Sequence, residues 1–234
     1  ACNPRGGLVG TGPLLTRLTA FAPGQGVPDQ LLTPDNRQAW SAVGLTRGRL
    51  TVVDTNGRLR VEGSTPTVVR MVGSAQWFAP VEDGVVVQDF VGGLWFIRGS
   101  EPARSVGHFG ADLSAPLTAR RVTLTMSGSK VFRVSPQGLV ALRTLPEAPA
   151  AATVDPQGTL GAFLLSRDVR IEPLAGGTAR TSQLPNLRDG EALIDISLAQ
   201  GVLFGATDQG RDVRWADDGS VTATWDCGVA SRIL

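Results

Sequence analysis

Residues 49–72, RLTVVDTNGRLRVEGSTPTVVRMV, decide the fold. They read as three short strands separated by two tight turns. Asn56-Gly57 has the chemistry of a hairpin turn, because both residues accept positive φ, and Asp83-Gly84, Gly92-Gly93 and Asp218-Gly219 further along suit the same conformation. The segment Glu62–Pro66 makes the second turn, with Gly63 and Pro66 interrupting the ladder. Near-copies of this pattern recur along the chain.

The second strand of each copy sets the register. RLTVVDT begins at Arg49, GVVVQDF at Gly84, RVTLTMS at Arg121, TLGAFLL at Thr159 and GVLFGAT at Gly201, so the steps are 35, 37, 38 and 42 residues. A third strand follows each time: RLRVE, LWFIR, KVFRV, DVRIE and DVRWA. A fourth follows that: TVVRMV, ARSVGH, LVALRTL, TARTSQL and SVTATW. One more apolar segment precedes each group: AWSAVGL, WFAPV, APLTA, AATV and LIDISLA. Four short strands per ~40 residues, repeated, is the pattern of a β-propeller blade. One such sheet cannot bury both faces alone and must stack against its neighbours.

The expected fold is therefore all-β: a six-bladed β-propeller of four-stranded antiparallel blades in one domain, residues 1–234. The repeat units fall near 39–73, 74–108, 113–146, 150–185 and 191–227. A closing blade draws on 7–33 (GLVGTG, LLTRLTAF, DQLLT) and on 229–234 (VASRIL), so both termini share one blade. Five blades is the alternative, if the N-terminal segment is only a loop.

Several of these stretches resemble known repeats. VVDTNGRLRV is similar to the strand–turn–strand of NHL-type and quinoprotein-type blades. TVDPQGTLGAFLL and VSPQGLVAL resemble the "SPDG" turn of WD40-like and TolB-like blades, with Gln in place of Asp. DDGSVTATW is loosely similar to a sialidase Asp-box, without its Ser and Trp positions. The resemblance implies architecture and not chemistry, since propellers host unrelated functions.

Composition agrees with an all-β chain. Gly is abundant at 29 residues, Pro follows at 15, and no 12-residue stretch carries a helical period. No run of 18 apolar residues exists, so no transmembrane helix is expected. The net charge of +1 creates no field that favours nucleic acid or anionic membrane, and the aromatics sit inside strand patterns. Nucleic-acid binding is not expected. The chain starts Ala1-Cys2-Asn3 rather than with Met, as a mature or trimmed chain does.

Cys2 and Cys227 are the only cysteines and flank the expected closure seam. A disulfide between them would tie the ring ends and place the protein in an oxidising, extracytoplasmic compartment. The alternative for Cys2 is a lipid anchor, since Ala1-Cys2 resembles the end of a lipobox. Both readings place the chain outside the cytoplasm.

Catalytic signals are weak. His108 is the only histidine, and it lies on a fourth strand, away from any nucleophile motif. Arg17, Arg60, Arg133, Arg170 and Arg214 recur with the repeats, Arg98 being offset by one. They read as Arg paired with carboxylates such as Glu62, Glu172 or Asp212, or else as an anion-binding ring. Asp35, Asn36, Glu82, Asp83, Asp155, Glu191 and Asp195 lie near first strands but form no D-x-D-x-D pattern. Asp83 and Asp155 fit turns. If a metal were held, as in calcium-dependent lactonase propellers, Glu82 and Asp195 would be its ligands. No cofactor is expected.

Binding residues are sought at loops. Trp77-Phe78 and Trp95-Phe96 place large rings on both faces of a strand, as core packing requires. Trp40 and Trp77 also adjoin loops that enter first strands. With Asp35, Asn36 and Glu191 they form the candidate binding face. Phe21–Asn36, Pro146–Pro149 and Pro185–Glu191 are the candidate partner-facing loops. The expected function is non-catalytic: an extracytoplasmic binding or assembly module of the cell envelope or a secreted complex, whose partner is another protein. A calcium-dependent lactonase-like hydrolase and a carbohydrate-binding propeller are the alternatives.

Overall fold

The computed structural model describes residues 75–82, 84–98, 101–110, 112–119 and 122–226 in full, and before residue 75 the backbone of the strands alone. Every regular element among them is a strand, and the strands pair into antiparallel sheets in sequence order. The first sheet has three strands, β1 (Gly7–Thr11), β2 (Arg17–Phe21) and β3 (Asp29–Leu32).

The remaining sheets have four strands each. One comprises β4 (Trp40–Thr46), β5 (Arg49–Asp54), β6 (Arg58–Val61) and β7 (Thr67–Val68). The next comprises β8 (Ala75–Val81), β9 (Gly84–Asp89), β10 (Gly93–Ile97) and β11 (Arg104–His108). Then come β12 (Leu117–Ala119), β13 (Val122–Ser127), β14 (Lys130–Ser135) and β15 (Gly138–Thr144). These are followed by β16 (Ala151–Val154), β17 (Leu160–Leu164), β18 (Asp168–Pro173) and β19 (Arg180–Gln183). The last is β20 (Leu193–Ala199), β21 (Val202–Thr207), β22 (Arg211–Trp215) and β23 (Val221–Asp226). The five second strands expected from the repeat are β5, β9, β13, β17 and β21.

The strands gather into two compact units, one running through β15 and the other from β16. In the first unit, the sheet β8–β11 buries both faces, because its first two strands alternate apolar residues between two clusters. Ala75, Phe78, Val85, Val87 and Ile97 form one. Trp77, Ala79, Val86, Leu94 and Phe96 pack with Leu113, Phe132 and Val134 of the following repeat to form the other. In the second unit, Ala162, Leu164, Val169 and Ile171 of one sheet meet Ile196, Leu198, Leu203, Val213 and Trp215 of the next. Fully burying side chains of this size contributes about 1.5–3 kcal/mol each. First strands lie side by side within each unit, β4 against β8 and β16 against β20.

Hydrogen bonds lock successive sheets together. In the second unit the Trp215 indole donates to the Gln183 carbonyl at 3.1 Å. Arg180 forms an ion pair with Asp217 and donates to the Gly201 carbonyl at 2.7 Å. In the first unit the Thr123 hydroxyl donates to the Pro80 carbonyl at 2.6 Å, and Arg104 donates to the Pro136 carbonyl at 3.0 Å while lying over the Phe96 ring.

The turn glycines divide by role. Gly92 and Gly219 take the positive φ expected of them, +89° and +83°. Gly84 and Gly93 do not, contrary to the expectation for Asp83-Gly84 and Gly92-Gly93. Gly84 is required for close approach: a Cβ there would lie 2.3 Å from the Ile97 carbonyl oxygen.

Candidate binding surface

Two of the turns between second and third strands, after Asp89 and after Thr207, share one geometry. In Asp89-Phe90-Val91-Gly92-Gly93 the Asp89 carboxylate accepts from the N–H of Val91 at 3.1 Å and of Gly93 at 2.7 Å. The Gly92 N–H donates to the Asp89 carbonyl at 3.0 Å. In Thr207-Asp208-Gln209-Gly210-Arg211 the Thr207 hydroxyl accepts from the Arg211 N–H at 3.2 Å, and the Gly210 N–H donates to the Thr207 carbonyl at 3.1 Å. A buried cap at the first position and a left-handed Gly at the fourth fix both backbones.

These two similar turns carry opposite tips. Asp208 and Gln209 are polar and exposed, and they hold the preceding loop at the surface: Ala192 N–H donates to Asp208 Oδ1 at 3.0 Å, and Gln209 Nε2 donates to the Gly190 carbonyl at 3.3 Å. In the other turn the same positions hold Phe90 and Val91, which are 56% and 55% exposed. There the adjoining loop is held from beneath. Gln88 Nε2 donates to the Phe109 and Gly110 carbonyls at 3.2 and 2.9 Å, and Phe109 N–H donates to the Gly92 carbonyl at 2.8 Å. The tip side chains are left to solvent. Phe109 is 36% exposed and meets Phe132 edge-on, with ring centroids 5.5 Å apart, so it adds a third apolar group beside the tip.

The remaining second-to-third-strand turns are polar. Their tips are Gly128-Ser129, Ser166-Arg167 and, by sequence, Thr55-Asn56. The repeat therefore does not need apolar residues at this position, and Phe90-Val91 stands apart from its own siblings.

The candidates read from the sequence fall elsewhere. Trp77 is 5% exposed and belongs to the core between two sheets, which removes it from the binding face. Its place on β8, paired with Gln88 of β9, points the ring into that core. Glu191 is also removed. Its side chain is fully buried and paired with Arg211, which donates from Nε at 2.9 Å and also from Nη2. The Arg211 hydrogen bonds, against the opposing effect of burial, push the Glu191 carboxyl down to about 2. Trp40 is the first residue of β4, of which only the backbone is described. Asp35, Asn36, Cys2, Cys227 and Asp83 lie outside the described residues.

Glu82 is exposed in the turn after β8, and Asp195 lies on β20, where burial raises its carboxyl. Among the described residues no three His, Cys, Asp or Glu side chains are grouped as a metal would require. Asp155 caps its turn as expected, accepting from the N–H groups of Thr159 and Leu160 at 2.6 Å. Arg170 pairs with Glu172 at 2.5 Å, the repeat-structure role foreseen for it. His108 ends β11 and is exposed. Among the described residues no helix is long and apolar enough to cross a membrane.

The sheet arrangement is similar to that of the WD40 β-propeller domain of Doa1, with a TM-score of 0.55 and 9% identity over 90% of this chain and 75% of that one. It is also similar to the computationally designed Ika8 protein, with a TM-score of 0.58 and 10% identity over 95% of this chain and 85% of that one. The fold is that of the β-propeller repeat proteins. No protein-family description matches the chain, and no curated protein sequence matches it.

With the sheets recognised as propeller blades, the position missed in the sequence becomes explicable. GVVVQDFVGG aligns with its siblings as a second strand and a turn, and its apolar richness reads as core. The overlooked signal is positional. In a repeat, a hydrophobic pair at a hairpin tip should be judged against the same tip in the other blades. Thr-Asn, Gly-Ser, Ser-Arg and Asp-Gln set the expectation that Phe-Val breaks.

Proposed function

We propose that the chain is a non-catalytic binding module whose rigid blades present loops to a protein partner. One observation carries this: Phe90 and Val91 are held out to solvent on a turn whose backbone is fully fixed by Asp89. Exposed apolar pairs on rigid turns bind with little ordering cost, because their conformation is already set. Completing the burial of a half-exposed Phe and Val is worth about 2 kcal/mol, roughly thirtyfold in Kd.

The full arrangement we infer is one six-bladed domain. The β1–β3 sheet has three strands where the others have four, and Val229–Leu234 is the segment left to supply the fourth. Cys2 and Cys227 flank that junction in sequence, which favours a disulfide and an extracytoplasmic setting, with a partner from the envelope or a secreted assembly.

The test compares the full chain with F90D/V91Q, which carries the sibling tip. Both are used as bait on envelope and soluble extracts of the source cells. A protein retained by the parent and lost with the variant supports the proposal. Identical captured sets from the two baits overturn it.

A further inference from the structure

We infer that the Phe90-Val91 tip is a plug that enters a concave apolar pocket on a different protein. The inference rests on the binding-module reading and adds the kind of surface that receives it. Three observations select this occupant over a second copy or a membrane.

The first is shape and area. The tip projects from the end of the β9–β10 hairpin, and the exposed Phe109 adjoins it, its N–H donating to the Gly92 carbonyl of the turn. Together these side chains expose on the order of 250 Å2. Two copies meeting tip to tip would remove on the order of 500 Å2 from water, well under the ~1,200 Å2 at the lower end of stable interfaces. A pocket desolvates a convex tip on all sides and lets its rim cover the surrounding loops, as hot-spot anchors require.

Charge is the second. No Lys or Arg lies between Val85 and Ile97, and the loop beside Phe109 contributes Asp112, which accepts from the Ser127 hydroxyl at 2.6 Å. Peripheral insertion into a bilayer normally combines an apolar tip with basic residues that meet anionic headgroups. That combination is missing from this hairpin, and the next one contributes a single base, the exposed Lys130 cross-strand from Ser127, where such insertion uses a cluster.

Rigidity is the third. Asp89 Oδ2 also accepts from the Trp95 indole at 2.9 Å, so the carboxylate ties both strands of the hairpin to the tip. A Cβ on Gly93 would lie 2.6 Å from that oxygen, so any side chain there would have to displace the carboxylate that holds the tip. A preformed plug needs a preformed socket, and the partner surface is expected to carry an apolar pocket before binding.

A photo-crosslinking residue, p-benzoylphenylalanine, is placed in the full chain at position 90, and separately at 140, 166 and 209 as exposed controls, in the source cells. Its crosslinked protein is then purified, and its Kd measured for the parent, F90A, F90L, V91A and D208A, alongside each variant's melting temperature. The plug predicts a heterologous crosslink at position 90 that maps to an apolar pocket. It further predicts a loss of about tenfold for F90A, a loss of only a few-fold for F90L and for V91A, and no change in Kd for D208A, with the melting temperatures of the three tip variants unmoved. A crosslink from position 90 to another copy, or photo-labelling of phosphatidylcholine–phosphatidylglycerol vesicles by that chain, overturns the inference. So does an F90A variant that binds like the parent. Crosslinks from 140, 166 or 209 without one from 90 sink the plug and leave the binding module standing. Crosslinks from none of the four sink both.

Discussion

The Trp95 indole N–H lies 2.9 Å from Asp89 Oδ2, and the other oxygen of the same carboxylate accepts two backbone N–H groups of the turn. A fully buried acid thus holds a hairpin tip and its flanking strand through three hydrogen bonds. Removing it strands three donors at once.

Asp89→Ala is therefore expected to destabilise the protein by about 3 kcal/mol, and Asp89→Asn by less, because the amide oxygen keeps some of the bonds. The shift in urea midpoint at constant slope measures this. A cost under about 0.5 kcal/mol for the alanine variant would refute the role given to the carboxylate.

The tip itself should be neutral to folding. F90D/V91Q installs the residues of the 207–211 turn on a backbone of the same geometry. Its unfolding free energy is expected within about 0.5 kcal/mol of the parent. A loss above about 2 kcal/mol would mean that Phe90 and Val91 serve the core and not a partner.

Glu191 makes an acid-dependent contribution. Its carboxyl ionises near 2 in the folded chain against an ordinary value of 4.5. The stabilisation is complete above about 4.5 and is lost as the pH falls from there toward 2. Thermal melts between pH 2 and 7 should show Glu191→Gln well below the parent at neutral pH, by about 3 kcal/mol, since Arg211 is left buried without its partner. The two curves should converge near pH 2. A constant gap across that range would contradict the assignment.

Two second-strand glycines are fixed by space and not by φ. A Cβ at Gly84 would meet the Ile97 carbonyl oxygen at 2.3 Å, and one at Gly205 would meet a Leu193 methyl at 2.5 Å. Backbone cannot yield as a methyl can, so Gly84→Ala is expected to cost about 2–3 kcal/mol and Gly205→Ala about 1. Equal costs, measured by denaturant titration, would count against this ranking.

For the cysteines, non-reducing mass spectrometry of the intact chain is expected to show the loss of two hydrogens. Labelling of Cys227 by a thiol reagent without prior reduction would refute the Cys2–Cys227 bond.

The strands were legible because period-2 alternation and turn dipeptides encode them locally. Gly201 to Thr207 reads as a second strand, and β21 occupies Val202–Thr207. The role of Glu191 was not legible: a carboxylate next to a first strand reads as available until Arg211, 20 residues later in sequence, is seen to fold back over it. Trp77 shows the same gap. Alternation says that a ring on each side of β8 is buried, but nothing local distinguishes the end of a sheet from its mouth. Phe90 went unnoticed for the opposite reason, since a hydrophobic residue following VVVQD is assigned to the interior by default.

The interchangeable corners of this chain have an evolutionary corollary. Because one hairpin end carries Asp-Gln and its counterpart Phe-Val on turns of the same hydrogen-bonded form, recognition would be decoupled from foldability. A lineage could exchange one associate for another by altering two codons, and the barrier to such rewiring would lie in finding a new socket rather than in keeping the scaffold intact.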